Sequence, residues 1–239
     1  MFEEFKDKHK GKTGFIMSCG PSINTLDLSL LYGKIILGTS LAYKSGVKLT
    51  YSFMGDKMIA SQVYKEINEL PFTWFVSRSI KNSFFKDRPN TYAFDGAFKE
   101  KFYTDLSKGK FYGGGTSTFL AMQFAYWIGL KEVYCIGLDH YNSYDTTKMH
   151  IKEVGRSNKS EEPLVLATGE DNHHFTKDFY KEGMYYYLPT TDKMEKSYIL
   201  ARQAFEADGR KIYNLSPATA LADWIIPRKS LEEVLNELI

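Results

Sequence analysis

The sequence predicts an α/β fold, a mostly parallel sheet flanked by helices with an irregular lid subdomain. Two observations carry that reading. Short apolar, β-rich runs alternate with helical patterns over 239 residues, the order that produces a parallel sheet covered by helices. No internal repeat and no Gly/Ser- or Pro-rich linker divides the chain, so 1–239 reads as one domain.

In chain order, strands are expected at 13–18 (TGFIMS), 34–39 (KIILGT), 50–55 (TYSFMG), 72–77 (FTWFVS), 132–137 (EVYCIG) and 211–215 (KIYNL). The clearest helix is TSTFLAMQFAYWIG. Thr116 or Ser117 caps it, Gly129 stops it, and apolar residues on nearly every side predict burial. A second helix is expected from about 192 to 207, with Thr191 as its cap and Gly209 beyond its end. The last opens with Ser230 and Glu233, spaced as a capping box. Between Asp139 and Pro189 no period is sustained. A structureless stretch of that length is uncommon in a compact domain unless it is functional or disordered, so 140–189 reads as a lid excursion hung on the sheet.

Composition excludes several function classes. Hydrophobic content of 43% and charged content of 25% are ordinary for a soluble globular protein. The net charge of +2, with no Lys/Arg block, offers no phosphate track for nucleic acid. The excess is aromatic, 17 Tyr and 17 Phe. Tyrosine suits pockets for sugars or bases, although packing accounts for most such residues. Cys19 and Cys135 form no disulfide framework, which predicts a reducing compartment. Residues 1–12 are charged and lack the apolar centre of a signal peptide, and no run approaches a membrane span. A cytoplasmic location is expected, with peripheral contact at the inner face of a membrane and homo-oligomerisation left open.

Three informative loops fall at carboxyl ends of strands, where open α/β sheets bind ligands: SCGPS, FYGGGTST and GLDHYNSY. GGGTST sets glycines and hydroxyls at a helix N-terminus, where unpaired N–H groups and the dipole favour a phosphate. It lacks the Lys-Ser/Thr of a P-loop and the position of a dinucleotide fingerprint, and a flexible turn with an ordinary cap accounts for it equally well. DNHHF, 171–175, places two of five histidines side by side. One can face a pocket as a base while Asp171 or His173 orients it, or both are surface residues. Asp139, His140, His150, Asp171, His173 and His174 also hold metal-ligand chemistry, but no tight spacing supports a site.

Taken in order, these segments resemble the bacterial lipooligosaccharide sialyltransferases that use a CMP-activated sugar. The wider group around them (DUF115) includes motility accessory factors and pterin-diphosphokinase-like proteins. GPS at 20–22 is similar to that family's first-strand turn. TS at 116–117, the following helix and GLKEVYCIGLDHY resemble its Thr-Ser, helix, Lys-Glu, strand and Gly-Ile-Asp-Phe-Tyr run. DNHHF resembles Asp-Asn-Ser-His-Tyr, and NLSPATALADW the closing Cys-Pro-x-Ser-Leu-Leu-Ala-Asn-Phe.

The resemblance implies a Rossmann-like glycosyltransferase that needs no metal and moves a sialic-acid-like sugar from a CMP-type donor to a glycan or lipooligosaccharide. His174 falls on the catalytic base, and Tyr141 and Tyr144 on tyrosines that contact the leaving phosphate. Nucleotide contacts are implied for Cys19, Gly20, Pro21, Ser22, Ser40 and Asp56, and for Gly115, Thr116, Ser117 and Asp139. Cys19, Ser40 and Asp56 stand where the family has asparagine, so the donor can differ. Two alternatives remain: a Mg²⁺-dependent diphosphokinase acting on a pterin-like alcohol, with Asp56 and Asp139 as carboxylates, and a non-catalytic nucleotide-binding domain.

Overall fold

The computed structural model describes residues 2–97, 99–140, 146–157 and 162–237. Eight strands form one sheet in the order β11-β7-β1-β2-β3-β4-β5-β6, and every pairing is parallel. They are β1 (Thr13–Met17), β2 (Ile35–Thr39), β3 (Tyr51–Met54), β4 (Thr73–Ser77), β5 (Thr91–Gly96), β6 (Lys110–Phe111), β7 (Glu132–Ile136) and β11 (Lys211–Asn214). The helices are α1 (Lys57–Asn68), α2 (Arg78–Phe84), α3 (Ser117–Trp127), α4 (Thr191–Ala207) and α5 (Leu231–Glu237). This is a Rossmann-like α/β fold. Among the described residues no helix is long and apolar enough to cross a membrane.

The six anticipated strands are present, each one or two residues shorter than its apolar run. β5, β6, α1 and α2 were not anticipated. Burial explains the strand signal: all of β3, and four of five residues in β1, β2 and β7, are buried, as a sheet covered on both faces requires. One face carries the aromatic excess. Phe75 packs against Phe124 at 4.3 Å and stacks on Phe53 at 5.1 Å and Tyr92 at 5.4 Å, with Phe2 and Phe5 closing the group. Most of the aromatic surplus is therefore packing, as its bland reading holds. Of the tryptophans, Trp74 and Trp127 are buried and Trp224 is exposed.

Helix α3 is buried nearly all round. Thr116, not Ser117, is its cap: the hydroxyl accepts from the Thr118 N–H at 3.2 Å. It ends in a Schellman arrangement, Gly129 N–H to Tyr126 O and Leu130 N–H to Ala125 O. Helix α4 departs from expectation. Thr191 is its first residue, and the hydroxyl of Thr190, at the cap position, donates to Glu162 at 3.4 Å instead of capping. The α5 capping box is reciprocal, Ser230 N–H to Glu233 at 2.7 Å and Glu233 N–H to Ser230 Oγ at 3.1 Å.

The stretch after Asp139 is more regular than its sequence pattern. It holds an antiparallel sheet, β8 (Ile151–Arg156), β9 (Pro163–Ala167) and β10 (Tyr185–Tyr187), with β9 central. The alternation is weak because five of the six β8 residues are exposed, leaving no buried face to print it.

Candidate functional site

The strand order reverses direction between β1 and β7, the switch point at which the loops of a doubly wound sheet diverge. There, at the carboxyl ends of the strands, lies a cavity of about 510 Å³. Of the sequence-predicted residues, Cys19, Gly20, Ser40, Asp56, Gly115, Thr116, Ser117, Asp139 and His174 line it. Pro21 and Ser22 do not. Tyr141 and Tyr144 lie outside the described residues.

The GPS corner is short for a reason internal to the protein. A Cβ on Gly20 would stand 2.4 Å from the Asp139 carboxylate and 2.7 Å from Gly137 O. The Gly20 N–H donates to Gly137 O at 2.8 Å. Pro21 starts a short 3₁₀ turn. The Ser22 N–H donates to Asp139 Oδ2 at 2.7 Å and its hydroxyl to Oδ1. Ser22 therefore serves the pocket through Asp139. Burial pushes the Asp139 carboxyl above its ordinary value, against the Ser22 and Ser216 hydrogen bonds and the charge of His174.

The closing segment NLSPATALADW also acts by positioning. The Ser216 hydroxyl accepts from Leu138 N–H at 2.7 Å, while Asn214 Nδ2 and the Thr219 hydroxyl donate to Leu138 O.

At the opposite wall, Thr116, Ser117 and Thr118 bring the N-terminal turn of α3 to the cavity beside Gly113 and Gly115. Gly115 sits at φ 79°, in the left-handed region that favours glycine. The Thr118 and Ser18 hydroxyls share a hydrogen bond at 2.9 Å, tying this turn to the end of β1. Asp56 caps α1, its Oδ1 accepting from Met58 at 2.7 Å and Ile59 at 3.2 Å. Burial, with a smaller push from Glu162, raises its carboxyl above the ordinary range despite these amides. Burial drives the Cys19 thiol up to about 12, and Sγ donates to Thr39 O at 3.2 Å.

DNHHF divides its two histidines. His174 borders the large cavity, and His173 borders a small separate depression with His150. Asp171, not His173, orients His174: its Oδ2 holds Nδ1 at 2.9 Å, while Oδ1 accepts the amides of His173 and His174 at 2.8 and 3.0 Å. Burial alone would raise the Asp171 carboxyl. The His174 hydrogen bond and charge and the two amides overturn that and leave it below its ordinary value. A carboxylate on Nδ1 fixes the proton there and leaves the basic lone pair on Nε2.

The ring is also wedged by aromatics: it stacks on Phe179 at 3.8 Å and meets Tyr180 edge-on at 5.1 Å, and Tyr180 stacks on Tyr186 at 3.7 Å. The loop is anchored to the corner by Phe175 N–H to Cys19 O at 3.0 Å and Asn24 Nδ2 to Phe175 O at 2.8 Å. Among the described residues no three His, Cys, Asp or Glu side chains converge to hold a metal.

Sequence reasoning missed Glu162, Tyr180, Tyr186 and Tyr187, which complete the wall. The run YYY at 185–187 was the available signal: in a strand it must face alternate sides, and Tyr186 is buried while Tyr185 is 46% exposed.

No family model matches the chain, and no curated protein matches it. Solved structures do. The sialyltransferase CstII from Campylobacter jejuni in complex with the substrate analogue cytidine-5'-monophosphate aligns with a TM-score of 0.52 and 15% identity, covering 91% of this chain and 84% of that one. A substituted Cst-II in complex with CMP gives 0.52 and 18%, covering 92% and 87%. Cst-II with a trisaccharide acceptor and CMP gives 0.50 and 18%, over the same shares. At these identities the likeness is one of fold.

Proposed function

We propose that this chain is a glycosyltransferase that moves a sugar from a CMP-type nucleotide donor to a hydroxyl of a glycan acceptor. The observation that carries it is the Asp171–His174 pair bordering the switch-point cavity. The fold shared with CMP-bound sialyltransferases supports the choice of donor, and the resemblance of motifs adds a lipooligosaccharide-like acceptor and a sialic-acid-like sugar.

In this reading His174 Nε2 takes the proton of the acceptor hydroxyl as that oxygen attacks the anomeric carbon. Asp171 stabilises the imidazolium that forms. The bond between the anomeric carbon and the phosphate oxygen breaks, and the nucleotide leaves with the electron pair. Its growing charge is met by the N-terminal turn of α3 and the amides beside Gly115, and by Tyr141 and Tyr144 as the resemblance implies. Residues 140–189 close over the donor and keep water from hydrolysing it.

The diphosphokinase alternative draws less support. It asks Asp56 and Asp139 to bind Mg²⁺, yet Asp56 is occupied by two amides of α1 and Asp139 by Ser22. An oriented imidazole likewise favours turnover over a non-catalytic nucleotide-binding role.

Titration calorimetry tests the reading. CMP is expected to bind without added metal. Mg²⁺-dependent ATP binding, with no heat from cytidine nucleotides, would replace this reading with the kinase.

A further inference from the structure

Among the described residues lining the cavity there is no lysine or arginine, while Asp56, Asp139 and Glu162 all border it. The corner given to the phosphate above therefore holds amides and a helix dipole but no full positive charge. One cation stands at its edge. Helix α4 packs directly on the glycine run that precedes α3. A Cβ on Gly114 would stand 2.7 Å from Ser197 Oγ, and a Cβ on Gly115 would stand 3.4 Å from Met194 Cγ and 3.6 Å from Cγ and Cδ of Lys193. Gly115 and Met194 line the cavity, so the stem of Lys193 lies against its rim.

Only Cε and Nζ extend beyond those carbons. In any rotamer the ammonium stays near the rim, within reach of an anion seated on the amides of Gly115 and Ser117. Its position is otherwise unfavourable. Lys193 is the third residue of α4, where the positive end of the helix's own dipole repels a cation. The amino end of α3 meets the same corner through Thr116 and Ser117. Lys193 is half-buried, and among the described residues no hydrogen bond or ion pair engages its ammonium. Asp192, next to it in sequence, is exposed and lies on another side of the helix. An anion entering between the two helix ends relieves this repulsion and gains a charge-assisted hydrogen bond.

Resting on the transferase reading above, we infer that Lys193 is a further catalytic residue. Its ammonium donates a hydrogen bond to the nucleotide phosphate and answers the charge that gathers there as the sugar departs. In the donor the phosphate is a diester and a monoanion. When its bond to the anomeric carbon breaks, the electron pair stays on the phosphate oxygen and the nucleotide leaves as a dianion. Lys193 keeps its proton throughout. A cation at this corner therefore holds the departing nucleotide more tightly than the intact donor, and that difference is what accelerates cleavage.

Calorimetry with CMP, the methyl ester of CMP and cytidine tests this on three forms of the protein: the wild type, Lys193→Met and Lys193→Arg. Methionine keeps an apolar stem against Gly115 without the charge. Lys193→Met is expected to weaken CMP by about tenfold, the scale of a hydrogen bond to a charged group, and to leave cytidine within about twofold. The methyl ester, a monoanion like the donor, should be weakened less than CMP. Lys193→Arg should bind all three within about threefold of the wild type. In the wild type, CMP but not cytidine should shield Lys193 from acetylation by an N-hydroxysuccinimide ester, read by peptide mass spectrometry; that measurement needs no variant to fold. The inference is overturned if CMP gives no shielding, if Lys193→Met binds CMP as the wild type does, or if it weakens all three ligands alike. In each of those cases CMP binding by the wild type leaves the transferase reading standing. Absence of CMP binding to the wild type removes that reading, and the inference with it.

Discussion

Phe53 and Phe75, in the eight-stranded sheet, have no exposure at all and sit among aromatic neighbours on one face. In the three-stranded sheet five of six β8 residues face solvent, and its buried members, Val165, Ala167 and Tyr186, are few. The first region is held by redundant apolar burial. The second contributes little to the core, yet with the turns around it frames the stack of His174, Phe179, Tyr180 and Tyr186. The deepest burial and the candidate base are thus lodged in different parts of the chain, and damage to each should be read by a different measurement.

The largest effect is expected from His174→Ala, which should lower turnover by roughly 10²–10⁴-fold and leave CMP affinity and the unfolding midpoint nearly unchanged. Steady-state rates beside calorimetry check it, and full retained activity would reassign the base. Next, Phe75→Ala should cost about 3–5 kcal/mol of folding free energy in chemical denaturation, the range for a buried aromatic cut to alanine. Tyr180→Ala, in the thin region, should cost clearly less than that and should loosen the His174 ring. If it unfolds the protein as Phe75→Ala does, the division between the two regions fails.

Gly20→Ala is the intermediate case, since its Cβ would meet the Asp139 carboxylate. A loss of about 1–3 kcal/mol is expected, by thermal or chemical unfolding, as for overpacking elsewhere.

The smallest effect concerns Asp56. Its folded carboxyl lies above the unfolded value, so the ionised form costs stability at neutral pH, and the cost fades as pH falls through the folded value toward the unfolded one. Asp56→Asn keeps a competent cap and removes the charge. The variant should be slightly more stable near neutrality, with its advantage shrinking in mild acid. Asp171 has the opposite sign: its folded carboxyl lies below the unfolded value. Its stabilisation is present above the unfolded value and lost as pH falls through the folded one. Denaturation curves at neutral pH and in mild acid separate the groups.

Much of the sheet was legible because central parallel strands are apolar throughout, as IILGT and FTWFVS show. β5 was not, because TYAFDG mixes buried and half-exposed positions near one side of the sheet. The three candidate loops were legible from glycines, hydroxyls and an acid at strand ends. What they do to each other was not. Ser22 reaches Asp139 across 117 positions of chain, and no local pattern records such a partner. The choice between Asp171 and His173 likewise depended on a turn that folds the Asp171 carboxylate back on the His173 and His174 amides and on the His174 ring. The sequence around His140 gave no hint of Glu195, which α4 brings to it.

The two hydrogen bonds at Phe175 tie the residue after His174 to the rim of β1. The imidazole is thereby referenced to the first strand of the eight-stranded sheet, and not to β8, β9 and β10 alone, although it lies in the same stretch of sequence as they do.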